Sequence, residues 1–239
     1  MNEKMKGIVT VFVDIDDTLW WFTENSKLAL RHTFDAFDIS SVCTYERFKE
    51  VYLKKNLELW NLYHHGLIDK DFLVNERFRF TLKECGYKGD VDVEKMCHLL
   101  DEEYLRFLAL QPTTIPGARQ LLEYLVAKGY DVNTLSNGFR GTQQQKLISG
   151  GLSDLIHRNV LSDDCGITKP QRGIFDYALE QCGADAATTV MIGDNPDADI
   201  KGAHDAGWRT IYFNIRGLDP IEDTADAVVT SLDEIQQIL

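Results

Sequence analysis

The segment Val11–Leu19 constrains this chain most, because an apolar, β-branched stretch runs directly into carboxylates. Its first half predicts a strand buried on both faces, as in a parallel sheet. If the extended geometry persists, Asp14 and Asp16 leave the same side of that strand. Two unit charges ~4 Å apart repel by ~4 kcal/mol at an effective dielectric of ~20. A fold accepts such a pair when a cation lies between them or one carboxyl stays protonated, so the segment predicts a chemical site.

The composition narrows the class of protein. The chain has 239 residues, 38 acidic and 25 basic, and a formal net charge of −13. A protein that binds the nucleic-acid backbone needs a positive face, so we expect no nucleic-acid partner. The five cysteines are dispersed, which is typical of reduced thiols in a cytoplasmic protein. No apolar segment is long enough for a membrane span, and no protein partner is indicated.

The pattern of apolar residues changes twice along the sequence. Residues 25–110 carry apolar side chains at helical spacing, and the breaker-rich linker Gln111–Gly117 follows. After the linker, strand and helix patterns alternate, which predicts a parallel sheet covered by helices. The first strand belongs with this C-terminal half. We therefore expect an α/β core with a Rossmann-like parallel sheet, formed by residues 1–19 and 113–239, and an inserted all-helical domain at residues 20–112.

Polar groups follow the predicted strands of the core. The predicted elements are strands at Ile8–Ile15, Tyr130–Ser136, Ile156–Leu161, Thr189–Ile192, Thr210–Asn214 and Ala227–Thr230, and helices at Ala118–Lys128, Gln171–Cys182 and Asp199–Ala206. In open α/β sheets a ligand lies beyond the carboxyl ends of the strands. Three of those ends carry Asp14–Thr18, Ser136–Gly138 and Gly193–Asp199, and Lys169 precedes a helix between the last two. Carboxylates, a hydroxyl, backbone amides and an ammonium group should therefore converge at one sheet edge.

This set of motifs resembles that of the haloacid dehalogenase (HAD) superfamily, in its phosphatase branch. A DxDxT motif at Asp14–Thr18, Ser136, Lys169 and a GDxxxxD motif at Gly193–Asp199 follow the family's order and span the chain. The helical insert is similar to the family's C1-type cap. A finer similarity, to phosphatases that cleave nucleoside monophosphates, rests on a few insert residues: Trp60, Tyr63, Gly66, Arg77 and Phe78.

The resemblance implies a catalytic role for each acidic residue. Asp14 would attack phosphorus and form an aspartyl-phosphate. Asp16 would protonate the leaving oxygen and then deprotonate the hydrolytic water. The implied cofactor is Mg²⁺, which prefers oxygen ligands. Its expected ligands are Asp14, the backbone carbonyl of Asp16, and Asp194, with Asp199 or Asn195 holding coordinated water.

The resemblance also implies how the substrate is held. Ser136 and the backbone amides of Asn137 and Gly138 would grip the phosphoryl oxygens, and Thr18 belongs to the same substrate-binding set. Lys169 would neutralise charge on both the phosphate and the carboxylates. Positioning and electrostatics dominate phosphoryl transfer, so these contacts matter as much as the nucleophile. The expected partner is a small phosphorylated metabolite.

Several functions stay open at this point. Nucleoside 5′-monophosphates are the favoured substrates, and a sugar-phosphate or phosphoglycolate-type phosphatase is the nearest alternative. A 2-haloacid dehalogenase also uses an aspartate nucleophile, but a halide leaves without a proton, so Asp16 and Asp194 argue against it. A phosphomutase would need a cap that repositions a bis-phosphorylated intermediate. A non-catalytic binding module should have lost part of the set, yet every member is present.

Other side chains have two interpretations each. Trp20 and Trp21 either stack on a substrate or pack a hinge. Asp197 is a candidate helix N-cap, and Asp199 could form only a salt bridge to Lys169. Four residues of the insert either contact an anion or a base of the substrate, or belong to a solvated helical face with its turn: His64, His65, Arg77 and Arg79.

Overall fold

The computed structural model describes residues 5–88 and 93–239, and the chain divides into two compact units. One unit contains the chain up to Phe22 and from Pro112 to Leu239, and the other runs from Thr23 to Gln111. The predicted domain boundaries, between residues 19 and 20 and between residues 112 and 113, lie within three residues of these limits. The role of the helical unit as a cap stays a prediction. None of the described helices combines the length and the apolar character that a membrane span needs.

The described part of the first unit contains a six-stranded parallel sheet in the order β3-β2-β1-β4-β5-β6. Its strands are β1 (Thr10–Val13), β2 (Asp131–Ser136), β3 (Arg158–Leu161), β4 (Thr189–Gly193), β5 (Arg209–Phe213) and β6 (Ala227–Val229). The first strand of the chain thus pairs with two strands from the C-terminal half, β2 and β4. The predicted α/β fold with a parallel sheet is confirmed.

Besides four short 3-10 helices, the described helices of the two units are α-helices and one π-helical turn. They are α1 (Phe22–Ala36), α2 (Tyr45–His64), α3 (Lys70–Glu84), α4 (Val93–Ala109), α5 (Ala118–Ala127), α6 (Arg140–Ser149), α7 (Ser162–Cys165), α8 (Arg172–Cys182), a π-helical turn (Pro196–Lys201) and α9 (Gly202–Asp205). The sequence did not predict α6. The single helix predicted at Asp199–Ala206 is also wrong, because the π-helical turn begins earlier, at Pro196, and α9 follows it. Proline suits the first helical position, where its missing N–H is not needed.

The loop after β1 turns the chain instead of extending the strand. The backbone amide of Asp14 still donates to β4, but Asp16 forms an isolated bridge with Trp20, and Asp17 has a φ of 59°. Aspartate tolerates this left-handed region better than most residues. The prediction that the strand continues to Ile15 is therefore wrong. The argument that an extended strand sends both carboxylates to one side does not apply.

The core beside the sheet is built from large apolar side chains. Phe12 of β1 contacts Trp208 with ring centroids 4.9 Å apart, and Trp208 meets Phe175 of α8 edge-on at 5.3 Å. All three side chains are buried, together with Met191 of β4 and Leu135 of β2. Burying side chains of this size contributes roughly 1.5–3 kcal/mol each. This packing fixes the strands whose ends carry the site.

The helical unit has a buried ion pair in its core. Arg77 of α3 donates from Nε to Asp101 Oδ1 of α4 over 2.6 Å, and both residues are buried. Tyr52 and Tyr104 pack around the pair, and burial raises the pKa of Tyr52 to about 12. Arg77 is therefore neither a contact for a substrate anion nor part of a solvated face, and both earlier interpretations of this residue are wrong.

Candidate active site

The carboxyl ends of β1, β2 and β4 lie side by side. Val13, the last residue of β1, pairs with Thr134 of β2 and Ile192 of β4. Because the three strands are parallel and in this register, the residues that follow them emerge at one edge of the sheet. Asp14 and Asp194 come from two of these ends, and Ser136 closes the third.

Lys169 joins two of the carboxylates. Its Nζ donates to Asp14 Oδ1 over 2.6 Å, to Asp199 Oδ1 over 2.6 Å and to the Leu135 carbonyl over 2.7 Å. Asn137 holds the backbone of Lys169 from both sides, since Nδ2 donates to its carbonyl and Oδ1 accepts from its amide. Burial works to lower the pKa of Lys169, but the two carboxylates outweigh it and the pKa is raised. Lys169 is therefore a fixed positive charge inside the site.

Three buried carboxylates meet at this edge. Oxygens of Asp14, Asp194 and Asp199 lie within 4.8 Å of one another. Asp199 is held in place, because its Oδ1 accepts from Lys169 and its Oδ2 accepts from the Asn195 amide over 3.0 Å. Burial raises the pKa of Asp14 to about 7 although Lys169 opposes the shift, and burial also raises the pKa of Asp194 well above its usual range. When ionised, the three carboxylates carry more negative charge than Lys169 and Arg216, which contacts Asp194, offset together.

The donor set fits a divalent cation. Each member of the cluster offers carboxylate oxygen, the ligand type that Mg²⁺ prefers. Asp194 Oδ2 is buried and has no aligned hydrogen-bond donor, although an Arg216 nitrogen lies 2.5 Å from it. The short distance shows an ionic contact between these two groups. Asp194 and Asp14 could therefore hold the metal, with Asp199 beside them.

Arg216 was not expected from the sequence. Its Nη2 lies 3.3 Å from Asp17 Oδ2, in addition to the contact with Asp194. Arg216 stands three residues after β5, whose carboxyl end belongs to the same sheet edge. The rule that identified the other strand ends would have found it, had β5 been included.

Asp16 is held by a helix that the sequence did not predict. Lys146 of α6 donates from Nζ to Asp16 Oδ1 over 2.6 Å, and Gln143 donates from Nε2 to Asp16 Oδ2 over 2.8 Å. The Lys146 ammonium group also lies 4.8 Å from the ring of Trp20, which is fully buried. Trp20 is therefore a packing residue, and the interpretation that it stacks on a substrate is wrong.

The residues predicted to grip phosphate are organised by short contacts. Ser136 Oγ accepts from the Gly138 amide over 3.2 Å and from Gln143 Nε2 over 2.6 Å. A Cβ on Gly138 would lie 2.0 Å from Gln143 Nε2, so only glycine fits there without displacing Gln143. Thr18 is fully buried and its hydroxyl lies 3.5 Å from Asp194 Oδ1. Its contact with substrate stays a prediction, as do those of Asn137 and Gly138.

Asn195 caps the π-helical turn. Its Oδ1 accepts from the amides of Asp197 and Ala198, each over 3.0 Å. The interpretation of Asp197 as the N-cap is therefore wrong, because Pro196 begins the turn and puts Asn195 at the cap position. This side-chain oxygen already serves two donors, so a water held by Asn195 would need another of its atoms. The predicted role of Asn195 beside the metal stays a prediction.

The chain is similar to several hydrolases over most of its length. It is 34% identical to the pyrimidine 5′-nucleotidase YjjG of Escherichia coli (strain K12), with 96% of each chain covered. It is 34% identical to the HAD-hydrolase YfnB of Bacillus subtilis (strain 168), covering 88% of this chain and 86% of YfnB. A glyceraldehyde 3-phosphate phosphatase of Pyrococcus furiosus is 28% identical, covering 98% and 94% of the two chains.

Solved structures of hydrolases are also similar to this chain. The crystal structure of YfnB bound to magnesium superimposes with a TM-score of 0.85 at 31% identity, covering 98% of this chain and 99% of YfnB. A dehalogenase structure has a TM-score of 0.75 with 98% of each chain covered, but at 22% identity this likeness concerns the fold alone. The family model for haloacid dehalogenase-like hydrolases matches residues 8–207. The chain belongs to the family of haloacid dehalogenase-like hydrolases.

Proposed function

We propose that this enzyme is a Mg²⁺-dependent phosphatase that hydrolyses small phosphate monoesters, with nucleoside 5′-monophosphates favoured. The observation that supports it most is the Lys169 ammonium group, which joins Asp14 to Asp199 at the edge of a three-carboxylate cluster. A phosphoryl group brings two negative charges, so the site must supply positive charge while it keeps a carboxylate nucleophile. Lys169 and a bound cation meet both needs.

The proposed chemistry divides between two carboxylates. An oxygen of Asp14 attacks phosphorus, the bond to the ester oxygen breaks, and Asp16 gives its proton to that oxygen. Asp16 then takes a proton from water as the water oxygen attacks phosphorus and releases Asp14 with inorganic phosphate. Bound Mg²⁺ would supply positive charge for the phosphoryl oxygens. Lys169 and Ser136 hold the group in line, which is where most of the rate enhancement in phosphoryl transfer arises.

The choice of substrate rests on the relatives. YjjG is named for pyrimidine 5′-nucleotidase activity and the Pyrococcus furiosus relative for action on glyceraldehyde 3-phosphate. The site residues at the sheet edge concern the phosphoryl group, which is common to both substrates. We therefore propose that the rest of the ester is selected by the helical unit, in the role of a cap.

Dehalogenation is the less favoured alternative. Expulsion of a halide needs neither a proton donor nor a divalent metal. This chain has an Asp16 carboxyl group that Gln143 and Lys146 hold in place. It also has a buried carboxylate cluster in which Asp194 Oδ2 has no aligned hydrogen-bond donor. These groups favour a phosphate ester.

Activity against p-nitrophenyl phosphate tests the proposed nucleophile and the proposed metal. Asp14→Asn should abolish hydrolysis while far-UV circular dichroism stays unchanged, because the amide cannot attack phosphorus. Asp176→Asn, which alters an exposed carboxylate on α8, is the matched control and should keep wild-type activity. EDTA should stop turnover and added Mg²⁺ should restore it. Full activity in Asp14→Asn, or turnover in EDTA, would overturn the corresponding assignment.

A substrate panel tests the preference. Nucleoside 5′-monophosphates, sugar phosphates, glyceraldehyde 3-phosphate and phosphoglycolate are compared by kcat/KM under one set of conditions. We expect a pyrimidine nucleoside monophosphate to be hydrolysed with the highest kcat/KM. A strong preference for a sugar or triose phosphate would reject the nucleotidase assignment and leave the phosphatase assignment intact.

A further inference from the structure

We propose that Gln143 and Lys146 of α6 are positioning residues for the proton transfer that Asp16 performs, an inference that rests on the proposed phosphatase function. Both side chains are buried and both donate to the Asp16 carboxylate. They stand three residues apart, so they lie on the same face of the helix. Neither was found from the sequence motifs, since α6 itself was not predicted.

Lys146 places a buried charge beside Asp16. Its side chain is 4% exposed, and its Nζ lies 2.6 Å from Asp16 Oδ1. The rings of Trp20 and Phe22 lie 4.8 and 5.3 Å from the same ammonium group. Taking an ammonium group out of water costs free energy unless the group is paired. The two rings shield Lys146 from water and attract its charge, so the ammonium group stays beside the Asp16 carboxylate. The pairing fixes one oxygen of Asp16.

Gln143 fixes the other oxygen and connects it to the phosphate loop. Its Nε2 donates to Asp16 Oδ2 over 2.8 Å and to Ser136 Oγ over 2.6 Å. A primary amide carries two N–H donors, so it can serve both acceptors at once. Asp16 belongs to the loop after β1 and Ser136 to the end of β2. Gln143 therefore sets the distance between the proton-transfer group and a group that grips phosphate.

The chain order explains why α6 can do this. The helix begins at Arg140, two residues after Gly138, and its first two turns carry both donors. Gly138 leaves the space that the Gln143 amide occupies. A helix holds side chains more rigidly than a loop does. Asp16, whose side chain is 30% exposed, thereby receives a fixed direction from its buried neighbours.

The inference predicts a dependence on the leaving group. An alkoxide leaves only if it is protonated, whereas 2,4-dinitrophenolate leaves without a proton. The ratio kcat/KM covers the steps through departure of the leaving group, and kcat also includes the attack of water, which needs Asp16 as base. Loss of positioning should therefore lower kcat/KM for alkyl esters, spare kcat/KM for 2,4-dinitrophenyl phosphate, and lower kcat for both.

The test uses Lys146→Met and Gln143→Met, which keep most of the side-chain length and remove the donors. For uridine 5′-monophosphate and glyceraldehyde 3-phosphate we expect kcat/KM to fall ~10- to 100-fold, less than the full ~100- to 10,000-fold that a general acid supplies, because Asp16 itself is kept. For 2,4-dinitrophenyl phosphate, kcat/KM of Lys146→Met should change less than about threefold, because this leaving group needs no proton. Gln143 also donates to Ser136 Oγ, so kcat/KM of Gln143→Met should fall for both classes of ester, and further for the alkyl esters. Gln144→Ala, an exposed neighbour on the same helix, is the control and should match the wild type. Equal losses for both classes of ester would overturn the inference.

Crystal structures of the same variants give a readout that does not depend on turnover. In either variant the Asp16 carboxylate should leave the position beside α6, and in Gln144→Ala it should stay. An unmoved Asp16 in both Met variants would reject the positioning role. If the wild-type enzyme hydrolyses neither class of ester, the proposed function fails, and the crystal structures still decide whether the two residues hold Asp16.

Discussion

Replacing Lys169 by methionine should destabilise the metal-free enzyme in a way that depends on pH. The substitution keeps most of the length of the side chain but removes the ammonium group and its three hydrogen bonds, two of them to the buried carboxylates of Asp14 and Asp199. Removing one partner of a buried ion pair costs about 3–5 kcal/mol, because the other charge is left unpaired. Two carboxylate oxygens up to 4.8 Å apart repel by ~3 kcal/mol at an effective dielectric of ~20. We expect a loss of about 3–5 kcal/mol when both groups are ionised.

The sign of the pH dependence follows from Asp14. Burial already raises its pKa to about 7 with Lys169 present, and loss of Lys169 should raise it further. Near pH 8 the folded variant must either keep a proton on Asp14 that the unfolded chain has lost, or hold a buried carboxylate without its cation, and both lower its stability. Near pH 5 Asp14 of the folded variant is protonated, so the repulsion is absent. The loss of stability should therefore be larger at pH 8 than at pH 5.

Urea denaturation in EDTA, followed by circular dichroism at both pH values, measures this loss. Lys201→Met is the matched control, since Lys201 pairs with Asp205 at an exposed position, and it should change the free energy of unfolding little. Added Mg²⁺ should offset part of the loss in Lys169→Met, because a cation in the cluster replaces the missing charge. A loss below about 1 kcal/mol, the range of exposed ion pairs, or an equal loss at both pH values, would refute the reasoning.

Three further predictions concern the buried pair, the metal and the phosphate loop. Arg77→Met should lower the free energy of unfolding by about 3–5 kcal/mol, because Asp101 is left buried and unpaired. The double variant Arg77→Met with Asp101→Leu should recover most of this loss. Urea denaturation measures both variants, and additive losses in the double variant would contradict the prediction. Mg²⁺ should bind at least about tenfold more weakly for each pH unit below 7, since Asp14, with a pKa of about 7, must lose its proton to bind and the pKa of Asp194 is raised as well; calorimetric titration with MgCl₂ measures this, and a constant affinity between pH 6 and 8 would argue against Asp14 as a ligand. Gly138→Ala should lower kcat/KM about tenfold or more for alkyl esters, because the added Cβ displaces Gln143. The melting temperature should change little. Wild-type kinetics in this variant would show that the Gln143 contacts are dispensable.

The sequence was sufficient to predict the sheet and the residues that directly follow its strands. Parallel strands bring their carboxyl ends together whatever the details of packing, so Asp14, Ser136 and Asp194 could be assigned to one edge. Lys169 was added by its order among the motifs. Its contacts with Asp14 and Asp199 have the short distances expected of a buried network. These predictions depend only on topology, which a pattern of strands and helices encodes well.

The sequence was not sufficient where a side chain reaches the site from an element with a weak pattern. The segment of α6 contains Gly141 and three consecutive glutamines, which hide its helical periodicity, and so Gln143 and Lys146 were missed. Arg216 was missed because the end of β5 was left out when the strand ends were compared, although its side chain reaches Asp194 from the loop that follows that strand. Arg77 was misassigned because an arginine in an amphipathic helix is usually solvated, whereas here Asp101 on another helix pairs with it.

Chemical trapping of the phosphorylated enzyme tests the central claim most directly. Wild-type enzyme is acid-quenched during turnover of p-nitrophenyl phosphate, and acyl phosphates are reduced with borohydride before peptide mass spectrometry. The account predicts homoserine at position 14, formed only when substrate and Mg²⁺ are both present, and none in Asp14→Asn. Unmodified Asp14 during active turnover, or homoserine at another aspartate, would contradict it.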